Sequence, residues 1–320
     1  MASLRVLGRH ENDRTRPLYE AVFPEDGPKF TDYYYESRGA VNRIYVMEED
    51  SAIVSMLHLN PVMTSCYGTL RTIPYIVAVA TDPAFRHQGM MRTLLQRALN
   101  DCAENRVPFT FLMPASEEIY RPFGFRNAWP WKWEADCVGG ASGNTDAADT
   151  GAVYEERAGE CTDEELALLS GYVNRKLAEK FDIFVFRTPE YYRDLAREHE
   201  ASGDRLTVRF EDGRPVCAVS SVKEDFPPMM ARITDLVTFI RMIRPARGRE
   251  MLLKVTDDII SSNNGIFRIS LRREGSVCER LGALPEGTAE DAPVSCDISA
   301  LPALLGEDDP FGSAMICEEV

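Results

Sequence analysis

A buried strand followed by a tight turn and an amphipathic helix, between residues 73 and 102, constrains the fold of this chain most. Ile73–Ala80 is a nearly continuous apolar run, which is typical of a central strand covered on both faces. The apolar residues that follow recur at helical spacing and form one stripe: Met91, Leu94, Leu95, Ala98, Leu99 and Cys102. We therefore expect a helix that packs on a sheet.

The neighbouring segments continue this mixture of helices and strands. Periodicity predicts a helix near 28–37, a hairpin from 44–47 and 53–59, a strand over 109–113 and a short helix that opens near Ser116. Further along, it predicts a helix over 163–180, a hairpin from 206–210 and 216–222, and a strand over 265–271. The fold class is therefore predicted to be α+β with a mixed sheet.

Length and charge limit the functional classes. The chain has 320 residues, which favours two or three domains. Its formal net charge of −15 argues against nucleic-acid binding, which calls for a basic surface. The acidic surface that this charge implies would instead attract cationic amines, although solubility alone also explains the charge.

The sequence shows no pattern typical of a membrane span, a secretory signal or a cysteine-based metal site. No apolar run is long enough to span a membrane, and the first residues lack a secretory signal, so we expect a cytoplasmic protein without a membrane partner. The eight cysteines are scattered without a C-x-x-C pair. We expect buried reduced thiols and no metal site.

The turn between the strand and the helix carries the first chemical signal. It runs through Asp82-Pro83 and then Arg86-x-x-Gly89, directly before the striped helix. A helix N-terminus presents unpaired amide groups, which suits a pyrophosphate, and Gly89 lets the backbone approach it without a Cβ. Arg86, His87 and Arg92 can add donors or positive charge. Taken alone, Gly89 is equally explained as the start of a helix.

A second motif, Tyr120-x-x-Phe123-Gly124-Phe125, follows the next predicted strand. Strand, R-x-x-G helix, strand and Y-x-x-F-G-F together resemble the GCN5-related N-acetyltransferase (GNAT) superfamily, over roughly residues 1–135. The resemblance implies a V-shaped opening between the strands at 73–80 and 109–113, in which acetyl-CoA lies, with Tyr120 facing its sulfur. The CoA-binding residues that it implies are Val79, Ala80, Thr81, His87, Gln88, Gly89, Met90, Met91, Arg92, Ala115 and Ser116.

Met91 stands where many GNAT members have Gly or Ala, and this departure is similar to the enhanced-intracellular-survival (Eis) subfamily. That likeness implies a catalytic GNAT domain at 1–137, a linker at 138–151, a degenerate GNAT-like region at 152–228 and a sterol-carrier-protein-like (SCP2-like) domain at 229–320. The middle region has no P-x-x-R-x-x-G segment, so it should bind no second CoA. The Eis likeness also implies a homo-oligomer.

Aminolysis of a thioester needs an oxyanion donor, a proton donor to the thiolate and a base for the amine. Backbone amides at the end of the Val77–Thr81 strand can stabilise the oxyanion by donating hydrogen bonds to it. Tyr120, a phenol with a pKa near 10, can donate to a thiolate whose conjugate acid has a pKa near 8.5, although a core role beside Phe123 and Phe125 is the alternative.

The base is open. The Eis likeness implies that the C-terminal carboxylate of Val320 reaches the active site and acts as the base. A frayed tail would contradict this, and the base would then be Glu117, Glu118 or a water. The other histidines, His10, His58 and His199, show no catalytic pattern and are expected to be structural or exposed.

The sequence therefore predicts an N-acetyltransferase that moves an acetyl group from acetyl-CoA to a primary amine, with a cationic acceptor expected. The alternative is a non-catalytic module that binds acyl-CoA or an apolar ligand. Turnover on amines separates the two.

Overall fold

The computed structural model describes residues 2–129, 153–222, 226–282 and 293–316. The first part of the chain supplies six strands to the largest sheet. They are β1 (Ser3–Val6), β2 (Arg43–Glu49), β3 (Ala52–Cys66), β4 (Thr69–Thr81), β5 (Phe109–Leu112) and β6 (Arg126–Trp129). Its helices are α1 (Arg16–Val22), α2 (Gly27–Tyr34), α3 (Met90–Glu104) and α4 (Glu117–Tyr120).

The two faces of this sheet are covered by different helices. The apolar stripe of α3, which includes Leu94, Leu95 and Leu99, is buried in the main core on one face. On the other face, α1 and α2 contribute Tyr19 and Tyr34 to a smaller core. β4 and β5 are parallel, and α3 joins them as a crossover helix. The strand–turn–helix unit predicted from the sequence is therefore confirmed.

A strand from far along the chain completes the sheet. β11 (Met229–Ile233) lies between β5 and β6 and pairs antiparallel with both, so the order is β1-β2-β3-β4-β5-β11-β6. The predicted domain boundary at 229 therefore falls at a strand of the first sheet. The cause is tertiary, because β5 and β6 do not pair with each other and β11, from outside residues 1–137, pairs with both of them.

The middle of the chain forms a second unit with its own core. Its elements are β7 (Val153–Arg157), α5 (Asp163–Ala178), β8 (Ile183–Val185), α6 (Pro189–Ser202), β9 (Leu206–Glu211) and β10 (Arg214–Ser220). β7, β9 and β10 form a three-stranded antiparallel sheet over a core that includes Leu166, Tyr192 and Phe210. β8 leaves this unit and pairs with the end of β3, at Thr64–Cys66.

The last part of the chain packs on the first sheet. It contains α7 (Leu236–Met242), β12 (Arg249–Thr256), β13 (Gly265–Leu271), β14 (Val277–Leu281), β15 (Val294–Asp297), α8 (Leu301–Leu305) and β16 (Ala314–Met315). The four-stranded sheet β14-β13-β12-β15 shares the main core with β4, β5 and α3. Phe311 lies against Phe109 and Trp129, with ring centroids 5.3 and 5.8 Å away.

The structure confirms most of the predicted elements and adds several. The helix near 28–37, both hairpins, the strand at 109–113 and the helix at 163–180 are present. The helix α6 and the strands β1 and β7 were not predicted, because their apolar residues are few. The predicted linker at 138–151 lies outside the described residues. In the ranges that the structure covers, no helix is long and apolar enough to cross a membrane.

Candidate functional site

The opening beside β4 is the first feature of the site. β4 pairs with β5 only at Tyr75 and Phe111, so within the described residues the edge of β4 beyond Tyr75 has no strand partner. On its other edge, the register with β3 shifts between Met56 and His58, which leaves Ala78 and Val79 opposite one residue. Ala78 has a φ of 49°. A bulge leaves a backbone group outside the ladder, and here it does so at the opening.

The loop after β4 leads into the exposed start of α3. Gly89 has a φ of 77° and is the N-cap residue, without a side chain to cap the helix. The first bond of the helix runs from the Thr93 amide to the Gly89 carbonyl, over 3.0 Å. The amides of Met90, Met91 and Arg92 therefore have no acceptor within the helix, and they present donors to an anion.

Tyr120 ends α4 close to this helix start. Its ring is nearly buried and lies edge-on to Phe125, with centroids 6.0 Å apart. Burial raises the pKa of Tyr120 to about 12. The hydroxyl has no hydrogen-bond partner among the residues that the structure describes. Arg92 connects the two segments, because its guanidinium lies 5.0 Å from the centre of the Phe123 ring.

An acidic and aromatic cavity lies on the opposite face of the sheet. It has a volume of about 370 Å³, and Ala78 of the β4 bulge is one of its lining residues. We name it the acceptor cavity. Its carboxylates are Glu25, Asp26, Glu198 and Asp204. Its aromatic residues are Tyr19, Phe23, Phe30, Tyr34 and Phe226. Neither Lys nor Arg lines it in the described part of the chain, so its electrostatic potential favours a cation.

Asp26 and Glu198 approach this cavity from distant parts of the chain. Tyr19 donates a hydrogen bond of 2.6 Å to Asp26, and partial burial raises the pKa of that carboxyl. Glu198, on α6, is buried and accepts hydrogen bonds from Tyr33 at 2.8 Å and from Arg38 at 3.1 Å. Neither residue was predicted from the sequence. A mixture of acids and aromatics at 23–34 signals Asp26, whereas nothing in the sequence places Glu198 beside it.

The remaining predicted site residues fall into two groups. His87 and Gln88 are exposed on the loop before α3, and Ala115 and Ser116 are exposed just before α4. Val79, Ala80 and Thr81 lie on the open edge of β4. The structure brings these segments and Tyr120 to one end of the sheet, whereas Val320 lies outside the described residues.

The alternative bases are poorly suited. Glu117 accepts hydrogen bonds from Asn127 and Arg121, which lower the pKa of its carboxyl, and Glu118 is exposed. His58 is fully buried, and burial lowers its pKa to about 3, so the imidazole is neutral. Its Nδ1 lies 2.7 Å from the Tyr34 hydroxyl. In the described residues no group of three or more His, Cys, Asp or Glu side chains could hold a metal ion.

Comparison with known families agrees with this geometry. Residues 3–128 match the family model described as the acetyltransferase (GNAT) domain. This part of the chain is therefore similar to a GNAT domain. The match runs from β1 into β6 and ends before β11, so the largest sheet of this protein includes a strand outside the matched range. No curated protein shows significant similarity to the chain.

Solved structures extend the likeness of fold beyond the GNAT domain. A probable N-acyltransferase from Enterococcus faecalis V583 has a TM-score of 0.70 at 15% identity, covering 93% of this chain and 88% of its own. Eis1 from Mycobacterium abscessus has a TM-score of 0.64 at 15% identity, with the same coverage. A GCN5-related N-acetyltransferase from Anabaena variabilis ATCC 29413 has 0.63 at 14% identity, with full coverage of both chains. At these identities the likeness is one of fold.

The exposed start of α3 generates a prediction about CoA. A Cβ at Gly89 would meet no atom within 4 Å, so the Gly89→Glu variant should fold while its side chain occupies the space in front of the unpaired amides. We expect CoA affinity to fall by at least 10-fold, through steric conflict and repulsion between like charges. Isothermal titration with CoA measures this.

Gly68→Glu is the matched control for that variant. Gly68 has a φ of 76° and equally open space, but it lies in the turn between β3 and β4, at the opposite end of β4. Its substitution imposes the same backbone strain and adds the same charge. If both variants bind CoA equally well, the pyrophosphate does not lie at the start of α3.

Proposed function

We propose that this protein transfers an acetyl group from acetyl-CoA to the primary amine of a cationic acceptor. One observation carries the proposal: in a GNAT domain, the acidic acceptor cavity reaches the bulge of β4 at Ala78, the strand whose other edge is open. The thioester and the amine would therefore approach the same strand from opposite sides.

Two structural features support the acetyl-CoA half. The open edge of β4 offers backbone groups beyond Tyr75 that can pair with the pantetheine arm. The free amides of Met90, Met91 and Arg92 can bind the pyrophosphate. Amides at the Ala78–Val79 bulge can stabilise the oxyanion that forms when the amine attacks.

The charge of the acceptor cavity supports a cationic amine. Four carboxylates and five aromatic rings line it, and Glu198 among them is already paired with Arg38. The other carboxylates and the rings can bind an ammonium group through ion pairs and cation–π contacts. A volume of about 370 Å³ accommodates a small amine or one arm of a larger one. The identity of the amine within this class is a matter for substrate screening.

Tyr120 is proposed as the hydrogen-bond donor to the departing sulfur. With a pKa of about 12, it stays protonated throughout the physiological range. Full proton transfer to a thiolate with a conjugate-acid pKa near 8.5 would be uphill by about 5 kcal/mol, so donation of a hydrogen bond is the favoured role. The absence of a described partner leaves the hydroxyl available for it.

Replacing Tyr120 by Phe tests this role. The variant removes one hydroxyl and keeps the ring that packs against Phe125, so CoA affinity and the fold should be retained. We expect kcat to fall by roughly 10²- to 10⁴-fold. Steady-state kinetics on a panel of amines, with CoA titration alongside, measure both quantities.

The pH dependence sharpens the Tyr120 experiment. The raised pKa keeps the phenol of Tyr120 protonated until the pH rises to about 12. Any decrease in kcat that appears as the pH is raised towards about 11 should therefore come from another group.

An unchanged kcat in Tyr120→Phe would return this residue to a packing role. CoA binding by the wild type without turnover on any amine would favour a binding module instead.

Asp26→Asn tests the acceptor cavity. The change removes one negative charge but keeps an oxygen that can accept the Tyr19 hydrogen bond. We expect the KM for the amine to rise roughly 10-fold, equivalent to about 1.4 kcal/mol, with the KM for acetyl-CoA unchanged. Asp32→Asn is the control, because Asp32 lies on α2, which begins directly after Asp26, is exposed, and does not line the cavity. Equal effects from the two variants would remove Asp26 from the acceptor site.

The base is proposed to be the C-terminal carboxylate of Val320. Support comes from the preceding residue that the structure describes: Ile316 is fully buried, and its carbonyl accepts a hydrogen bond of 2.7 Å from the Trp129 indole. Ile316 therefore lies in the interior, beside β6. With a free-solution pKa near 3.5, a terminal carboxylate would need burial or a bridging water to accept the ammonium proton.

Extending the chain beyond Val320 by a few residues tests this assignment. The extension converts the carboxylate into a neutral amide and crowds the amine side, so turnover should fall at least 10-fold while CoA affinity stays the same. Rates of the extended and native chains under saturating acetyl-CoA give the answer. A fully active extended chain would transfer the role of base to Asp26 or a water.

The Eis-like architecture is also a proposal. The unit at 153–222 is proposed to correspond to the degenerate GNAT-like region, and the four-stranded sheet to the sterol-carrier-protein-like domain. Support comes from the similarity of fold to Eis1 across 93% of this chain. Self-association into a homo-oligomer is proposed on the same basis.

A further inference from the structure

A buried arginine holds the turn that follows Tyr120. Arg232, on β11, is almost fully buried. Its Nε donates a hydrogen bond to the carbonyl of Phe123, its Nη1 donates to the carbonyl of Ile233, and its Nη2 donates to Asp257 Oδ1 over 2.7 Å. The guanidinium therefore joins a backbone carbonyl of the Y-x-x-F-G-F motif to a carboxylate beyond β12.

The carboxylate end of this connection is itself held firmly. Asp257 Oδ1 accepts hydrogen bonds from the amides of Ile259 and Ile260, and its Oδ2 accepts one from the Asn263 side chain at 2.9 Å. Asn263 in turn accepts a hydrogen bond from the amide of Leu236. Arg232 is therefore anchored to the C-terminal part of the chain, which contributes no lining residue to the acceptor cavity in the described ranges.

The other end of the connection lies next to Tyr120. α4 ends at Tyr120 and runs directly into a 3-10 turn at Arg121–Phe123, which closes at Gly124 with a φ of 81°. A Cβ at Gly124 would lie 3.2 Å from Arg232 Nε, so the guanidinium packs closely on this turn. From the opposite side, Arg92 of α3 covers the Phe123 ring.

We propose that Arg232 is a positioning residue for Tyr120, and that the C-terminal part of the chain sets the catalytic geometry through it. The inference rests on the proposed function. The hydroxyl of Tyr120 has no hydrogen-bond partner in the described chain that would orient it, so its position follows from its backbone. A displacement of about 1 Å at a catalytic group can lower a rate by 10²-fold.

The competing explanation is that Arg232 and Asp257 only stabilise the fold. Arg232→Lys distinguishes the two, because a single ammonium can keep the charge beside Asp257 but cannot also donate from the Nε position to Phe123. We expect kcat to fall at least 10-fold, with the KM for acetyl-CoA and the affinity for CoA within 3-fold of the wild type.

A double-mutant cycle with Tyr120→Phe gives the decisive readout. If Arg232 acts through the tyrosine hydroxyl, Arg232→Lys has an effect on kcat of less than 2-fold once that hydroxyl is gone. If the two fractional losses multiply instead, Arg232 has a separate structural role and the inference is overturned. A Tyr120→Phe variant with normal kcat overturns it as well.

Two further variants and one control complete the experiment. Should Arg232→Lys fail to fold, as judged by circular dichroism and thermal unfolding, Gly124→Ala and Asp257→Asn disturb the same contact from either side and enter the same cycle. Arg43→Lys is the control: Arg43 pairs with the buried Asp101 at 2.6 Å, near the opposite end of α3, and its kcat should match the wild type. A wild type without any acetyl transfer would instead refute the proposed function.

Discussion

The buried ion pair of Arg232 and Asp257 is the interaction on which the rest of the structure depends. Both side chains are 1% exposed, and each makes additional hydrogen bonds beyond the ion pair. A charge removed from water is tolerated only under such conditions. Loss of one partner typically costs about 3–5 kcal/mol, which is a large fraction of the roughly 5–15 kcal/mol by which a typical folded domain is stable. The pair fastens β11, the turn after Tyr120 and the C-terminal part of the chain to one another. The largest sheet is consequently not an independent unit that ends with the residues matched by the family model.

The two sides of the candidate site are built in different ways. The proposed acetyl-CoA side uses residues that lie close in sequence: the edge of β4, the loop through Gly89 and the first turn of α3 follow one another directly. The acceptor cavity uses residues that lie far apart, since Asp26 precedes the sheet and Glu198 belongs to the middle unit. Variation in the middle unit can therefore change the acceptor without disturbing the acetyl-CoA side. Under the proposed function, one strand, β4, presents both reactants to each other.

Physical patterns explain which parts could be predicted. The apolar stripe of α3 and the continuous run of β4 report burial directly, because each residue's environment follows from its position in one regular element. The R-x-x-G turn and Tyr120 were predicted because local spacing carries them. By contrast, α6 has few apolar residues, among them Tyr192, Leu195 and Ala196, and its pattern is weak although those three are buried. The acceptor cavity could not be predicted, because no local rule brings Glu198 and Asp204 beside Asp26.

The sequence by itself determined the strand–turn–helix unit, the exposed amides at Gly89 and the motif that places Tyr120 after β5. Each depends on backbone geometry and periodicity within some 30 residues, where chain connectivity already limits the arrangement. Only the tertiary structure decided that Met229–Ile233 enters the first sheet, that Arg232 is buried against Phe123 and that four carboxylates surround one cavity. Strand pairing between distant segments is chosen by the hydrogen bonds and apolar surface that remain unsatisfied once the local elements have formed. That choice involves the whole chain at once, so no stretch of sequence contains it.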